Sequence, residues 1–331
     1  MHNLSIGKIR GLQQISTIEG TFIMSAIDHR GSFKTMIESE RPDKAEYPEI
    51  VERKLELCAA LSPYSSAILL DPNYGAAQCI AGGALPGNTG LLVSIEATGY
   101  QSDPQGRITT LLDGWGVEKI KRMGGSAVKI LIYYRPDLSD ITSKQLKTIQ
   151  IVADECIKHD LPFLVEPVSY PLKQGKSGSP EFASEKPGLV IETARQMTAL
   201  PIDVLKAEFP ADMKYETDSG KLLEICQRLD EAAQVPWVIL SAGVNYETFR
   251  EQVKIACQAG ASGFLGGRAI WQEVTQFTDK ENRINFLKTT VADRLKELVE
   301  ITNKHATPWY RKVGIKASEL TAIPENWYKT Y

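Results

Sequence analysis

AVKILIYYRPDLSDITSKQLKTIQIVADECIKHDLPFLVEPVSY, residues 127–170, reads as strand, helix, strand. Its ends, 127–134 and 162–170, are short runs rich in aliphatic and aromatic residues. Between them, 142–159 repeats its apolar residues at helical spacing. Two apolar strands joined by a helix make a parallel βαβ unit, the element of sheets that are covered on both faces. Each strand also carries one charge inside its apolar run, Lys129 in the first and Glu166 in the second.

The same rhythm continues in both directions. Strands are expected at 22–28 (FIMSAID), 66–71 (SAILLD), 90–96 (GLLVSIE), 204–209 (VLKAEF), 237–243 (WVILSAG) and 263–271 (GFLGGRAIW). Helical periodicity fills 47–61, 115–123, 187–199, 219–234 and 246–259. Eight strands alternating with helices predict an α/β fold, the (β/α)8 or TIM barrel, whose usual length is about 250 residues. An open doubly wound sheet is the weaker choice, because no GxGxxG follows the first strand. The 331 residues are then one barrel domain, 1–331, with strands over about 22–271, an N-terminal lead-in and a helical tail over 280–331. The polar loop 171–187 (PLKQGKSGSPEFASEKP) follows strand five and so lies on the catalytic face. It reads equally as a solvated loop or a mobile lid.

Composition excludes several classes. With 38 basic and 41 acidic residues the net charge is −3, so there is no basic footprint for nucleic acid. No run approaches the roughly 20 apolar residues of a membrane span, and MHNLSIGKIRGLQQIS lacks the apolar core of a signal peptide. Five scattered cysteines without a CxxC pair point to reduced, buried thiols in a cytoplasmic enzyme. The four histidines, His2, His29, His159 and His305, are not at metal-ligand spacing, so no metal is expected.

Barrel chemistry sits at the C-terminal ends of strands, and there the polar residues accumulate. Strand one ends in Asp28, His29 and Arg30, strand three in Glu96. Strand four carries Lys129, strand five Glu166, and strand six Lys206 and Glu208 on one face. Lone buried charges are costly, so these should pair. A structural ion-pair network would serve for any one of them, but a structural core has no need of two lysines. A lysine in a partly desolvated site beside another cation gives up its proton more readily and can form a Schiff base with a carbonyl. A neighbouring carboxylate can shuttle protons. From the residues alone, Lys129 and Lys206 are equal candidates for the nucleophile.

After strands seven and eight, SAGV (241–244) and GGRA (266–269) fit the place where barrels bind phosphate. Ser241 would add a hydroxyl, Gly243 and Gly267 close backbone approach, and Arg268 a guanidinium fork. Asp71, followed by proline, is expected to cap its turn. Tyr133, Tyr134, Trp115 and Trp271 are expected to serve packing.

These stretches carry a family resemblance. SAIDHRGSFKTMI (25–37), SPYSSAILLDPNYG (62–75), TGLLVSIEATGY (89–100), AVKILIYY (127–134), FLVEPVSY (163–170), VLKAEFP (204–210), LSAGVNYETF (240–249), GGRAIW (266–271) and TPWY (307–310) resemble the tagatose-1,6-bisphosphate aldolases, a class I family. The related sulfofructose-phosphate aldolases share much of the pattern. The resemblance implies that Lys206 is the Schiff-base lysine and Glu166 the general acid/base. Lys129 and Asp28 would line the same pocket. Ser241, Gly243, Gly267 and Arg268 would hold the C1 phosphate of the ketose, with His29 and Arg30 also facing substrate. It implies no cofactor, a phosphorylated sugar as substrate, and a homo-oligomer as an open option. The family usually reads Asp-Gln-Arg-Gly at strand one, where this chain has Asp28-His29-Arg30-Gly31. Cleavage of another ketose 1-phosphate, such as sulfofructose 1-phosphate, and a non-catalytic metabolite sensor are the alternatives.

Overall fold

In a computed structural model, described for residues 4–103, 106–172, 175–315, 323–329 and 331, eight parallel strands close into a barrel. They are β1 (Phe22–Ala26), β2 (Ala67–Leu70), β3 (Gly90–Ser94), β4 (Ala127–Tyr133), β5 (Phe163–Val168), β6 (Val204–Ala207), β7 (Trp237–Leu240) and β8 (Gly263–Gly266). Neighbours in sequence are neighbours in the barrel, and β8 pairs with β1 to close it. The expected (β/α)8 barrel is the fold.

Side-chain alternation divides the core into two layers. Phe22, Met24, Leu69, Leu92, Ala127, Leu164, Val204, Val238 and Leu265 fill the barrel interior. Ile68, Val93, Val128, Ile130, Val165, Leu205 and Ile239, of the opposite parity, face the helices. Lys129, Glu166 and Lys206 share parity with Ala127, Leu164 and Val204, so all three rise from the inward face above an apolar floor. The strands must approach closely at the closure. Gly263 has φ +138, and a Cβ there would lie 1.9 Å from the Phe22 carbonyl oxygen.

Helix Ile6–Ile15, started by a Ser5 cap, plugs the N-terminal end with Leu12 and Ile15. Trp309 joins the same cluster, and its backbone N–H donates to Gly20 O at 2.9 Å. Lys8 pairs with Asp203 at 2.7 Å beneath the barrel.

Several elements differ from expectation. The run 263–271 is not one strand. It breaks after Gly266, and Arg268–Trp271 is a helical turn that tucks Trp271 under β1, where its indole N–H donates to Ala26 O at 3.0 Å. Half of the expected loop 171–187 is helix, because Ser179 caps Pro180–Thr198 and Pro180 fits a first turn. Pro187, at the start of the expected helix, instead lies inside this longer one. The expected tail begins with helices Lys280–Phe286 and Ala292–His305. The second packs against helices Tyr47–Leu61 and Tyr246–Ala259 and so closes the outer ring of helices. Residues 173–174 of the loop, and 316–322 and 330 of the tail, lie outside the described residues. A two-stranded hairpin, 101–103 with 106–108, has no clear alternation in sequence to announce it. All five cysteines are buried free thiols. No helix among the described residues is long and apolar enough to cross a membrane.

Candidate active site

The C-terminal ends of the strands enclose a cavity of about 610 Å³. At its floor, Lys129 lies 2.8 Å from Asp28 Oδ2, 2.9 Å from Glu96 Oε1 and 2.8 Å from Glu166 Oε2. The other oxygen of Glu166 is 2.8 Å from Lys206 Nζ. Glu166 therefore bridges the two lysines. The segment that supplies Asp28 also supplies Arg30, whose guanidinium donates to Glu96 O at 2.7 Å and stands 3.9 Å from Glu96 Oε1. Three cations face three carboxylates, so the network is neutral although nearly every member is buried.

The two lysines are not equivalent. Burial opposes charge on Lys129, but Asp28, Glu166 and Glu96 together push its pKa well above the ordinary value. An ammonium held by three carboxylates is a poor nucleophile. Lys206 has one carboxylate partner, Glu166, in position to take its proton. Burial would raise the pKa of Asp28 and Glu166, yet Lys129 leads the charges that hold both below the usual carboxylate range.

Asp28, His29 and Arg30 stand just past β1, and Glu96 just past β3, in the loop segments rather than the strands. Glu208 lies past β6. It lines the cavity but accepts from Ser169 N at 2.7 Å instead of joining the lysines. Tyr134 and Trp271 are buried as expected, whereas Tyr133 lines the cavity. Trp115 is half-buried and donates to Ser94 O at 3.1 Å.

After β7, Ala242 has φ +48 and Gly243 φ +78, so backbone strain is stored in the SAG turn. A Cβ on Gly243 would lie 3.1 Å from Arg268 Cζ, and glycine lets the guanidinium lie flat on the turn. Gly267 N donates to Ser241 Oγ at 3.4 Å. Arg268 Nε is buried with no hydrogen-bond partner among the described residues. A guanidinium N–H left bare in a strained glycine turn is suited to an anion. Gly266, in contrast, packs against Ile270 and Phe249 and is structural.

His29 completes this corner. Its ring meets Trp271 edge-on at 5.4 Å between centroids, and a Cβ on Gly267 would come within 3.0 Å of its Cε1. Its Nδ1 is buried without a hydrogen-bond partner among the described residues. Burial pushes its pKa down to about 3, with Arg268 and Lys206 adding to the fall and Asp28 opposing it. The ring is thus neutral at pH 7. Folding excludes a proton that the unfolded chain binds below about 6.5, so stability should decline as pH falls below that value. His29→Gln is expected to flatten the pH dependence of the urea midpoint between about 6.5 and 4.5. His305, whose pKa burial also lowers, adds a slope of the same sign that the variant keeps. An unchanged slope in the variant would show that His29 takes its proton freely.

Three features lie outside the sequence-based expectations. Lys186, from helix Pro180–Thr198, lines the cavity mouth with Ser177 and Phe182. Arg107 of the hairpin is held by the rings of Tyr100, Tyr133 and Tyr170 at 4.7, 5.5 and 4.8 Å. Lys54 is a wholly buried lysine paired with Asp71. Only Lys54 leaves a legible signal, since it interrupts the apolar stripe Ile50, Leu57, Leu61 of its helix. Asp71 caps its turn as expected, accepting from Asn73 N and Tyr74 N. A larger groove of about 1030 Å³ opens at the opposite end of the barrel. Its charges, Arg10, Glu19, Lys296 and Glu300, are exposed surface groups. Among the described residues no group of three His, Cys, Asp or Glu side chains could hold a metal ion.

A family model described as DeoC/LacD family aldolase matches residues 22–273. The chain is 33% identical over 323 residues to tagatose 1,6-diphosphate aldolase 2 of Streptococcus agalactiae, covering 92% of this chain and 98% of that protein. It is equally similar, with the same coverage, to the tagatose 1,6-diphosphate aldolase of Lactococcus lactis. Among solved structures, an archaeal fructose 1,6-bisphosphate aldolase superposes with TM-score 0.56 at 22% identity, over 87% of this chain and 97% of that one. The fructose-bisphosphate aldolase of Plasmodium falciparum gives TM-score 0.69 at 15% identity, over 90% and 94%. The structures share the fold, and the matched length and identity of the sequences carry more: the chain belongs to the DeoC/LacD aldolase family.

Proposed function

We propose that this protein is a class I aldolase that cleaves tagatose 1,6-bisphosphate to dihydroxyacetone phosphate and glyceraldehyde 3-phosphate. The observation that carries the reading is Glu166 held between two unlike lysines, one locked as a cation and one with a single partner. The similarity to tagatose 1,6-diphosphate aldolases over 92% of the chain supports the choice of sugar.

The mechanism follows from these contacts. Glu166 Oε1 takes the proton of Lys206, and the freed Nζ lone pair attacks the C2 carbonyl. The protonated carboxyl returns its proton to the C2 hydroxyl, water leaves, and an iminium forms. Glu166, again a carboxylate, accepts the C4 hydroxyl proton. The C3–C4 bond breaks, its electron pair flows into the iminium, and the aldehyde departs. Protonation of the enamine at C3 and addition of water release dihydroxyacetone phosphate and regenerate Lys206. The water lost at the start balances the water added at the end.

In this reading Lys129 stays charged throughout. It holds Asp28, Glu96 and Glu166 in register and keeps Glu166 ionised between proton transfers. The C1 phosphate occupies the corner of Ser241, Gly243, Gly267 and Arg268, where the bare Arg268 Nε supplies a donor. Neutral His29 is better suited to a sugar hydroxyl than to a dianion. Arg30 and Lys186 are the cations at hand for the distal phosphate.

Competing ketose phosphates test the reading. Tagatose 1,6-bisphosphate should show the highest kcat/KM, above a ketose 1-phosphate with an unphosphorylated tail and above sulfofructose 1-phosphate. Borohydride added during turnover should inactivate the enzyme, and a chelator should leave it active. Preference for the sulfonated sugar would move the substrate. No turnover of any ketose phosphate would sink the aldolase reading and favour a sensor.

A further inference from the structure

Lys54 and Asp71 are both fully buried, and the ammonium donates to Asp71 Oδ1. It also donates to Ile27 O at 2.8 Å, and lies 5.4 and 6.0 Å from the rings of Phe33 and Tyr74. The second oxygen of Asp71 accepts from Asn73 N at 3.0 Å and Tyr74 N at 2.8 Å. Replacing such a pair by apolar residues of like volume is often neutral or stabilising, so stability alone is a weak reason to keep it. Its two ends lead to the same place. The Ile27 carbonyl belongs to the peptide bond that enters Asp28. The turn held by Asp71 presents Asn73 Oδ1, which accepts from Arg30 Nη1 at 3.5 Å. Asp28 then meets Lys129, and Arg30 meets Glu96.

We propose that the Lys54–Asp71 pair is a positioning device that fixes the segment Asp28-His29-Arg30 from below. One arm sets the height of Asp28 through the Ile27 carbonyl, and the other sets Arg30 through Asn73. Neither residue lines the cavity. The proposal rests on the aldolase reading for its kinetic consequence, but not for its structural one. A displacement of about 1 Å at a reacting group costs on the order of 10²-fold in rate.

The test uses the double variant Lys54→Met/Asp71→Leu, which leaves no unpaired charge, together with Asn73→Ala, which removes no charge at all. The double variant should fold but melt below the wild type, because Ile27 O, Asn73 N and Tyr74 N lose their partners, and should lose about 10²-fold in kcat. Asn73→Ala should raise KM for the bisphosphate several-fold with kcat little changed. NMR titration of Asp28, whose carboxyl faces Lys129, His29 and Lys206, should show its pKa rising toward the ordinary value in the double variant. A folded double variant with wild-type kcat and an unmoved Asp28 titration would reduce the pair to packing. Should the double variant not fold, an unchanged KM in Asn73→Ala would overturn the proposal equally. If the wild type forms no borohydride adduct while the Asp28 titration still shifts, the aldolase reading fails and the positioning stands.

Discussion

Replacing Lys206 with alanine is expected to abolish borohydride trapping and lower kcat by on the order of 10⁴-fold or more, as loss of a covalent nucleophile does. The fold should survive. Lys206 contributes one contact to the network, and Glu166 keeps its bond to Lys129 at 2.8 Å. Binding of dihydroxyacetone phosphate should also survive, because the corner proposed for the phosphate, Ser241, Gly243, Gly267 and Arg268, does not depend on Lys206. The decisive measurement is peptide mass mapping after reduction of the wild type with substrate present. The adduct should sit on the peptide that carries Lys206. An adduct on Lys129, or a Lys206→Ala protein with full turnover, would reverse the roles of the two lysines. The geometry gives a reason to expect otherwise, since removing a proton from Lys129 would leave three carboxylates around a neutral amine.

Most of this barrel is legible in the sequence because its signals are local. A parallel strand covered on both faces reads as a short apolar run, and the periodicity bounds helices Tyr47–Leu61 and Tyr246–Ala259 to the residue. Boundaries fail where a tertiary contact decides them. The sequence GGRAIW has the composition of a strand, yet the indole of Trp271 is satisfied by Ala26 O, and that bond requires a turn after Gly266. The charges in the strands are legible for the opposite reason: they break the apolar pattern. What parity does not supply is partnership. Nothing in FLVEPVSY says that Glu166 divides its two oxygens between Lys129 and Lys206, or that Glu96 joins them while Glu208 turns to Ser169 N. Lys54 lies in plain view on an apolar stripe, but its helix reads well as amphipathic, and that reading hides the burial of the lysine.

Replacing Lys129 with methionine should have the largest effect on stability. The ammonium is the shared partner of Asp28, Glu96 and Glu166, and His29 beside Asp28 is neutral at pH 7. Without it three buried carboxylates share Arg30 and Lys206. Breaking a buried pair by removing one partner typically costs about 3–5 kcal/mol, and a loss of that size is expected. The carboxyls' share of the pH dependence should change sign. In the wild type, Asp28 and Glu166 titrate below their unfolded values of 3.8 and 4.5, so they add stability above those values that is lost as pH falls. In the variant, burial is no longer offset by Lys129, and at least one carboxyl should titrate above its unfolded value. Its contribution is then present below its unfolded value and lost as pH rises through the new pKa, opposing the His29 contribution, so that stability falls less between pH 7 and pH 5 than in the wild type. Adding Asp28→Asn to Lys129→Met removes one of the crowded charges and should restore part of the stability at pH 7 without restoring kcat, because Glu166 still lacks the cation that keeps it ionised. A Lys129→Met protein that melts like the wild type at pH 7, with the wild-type pH slope, would mean that the carboxylates do not depend on Lys129 and that this charge balance is not what holds the site.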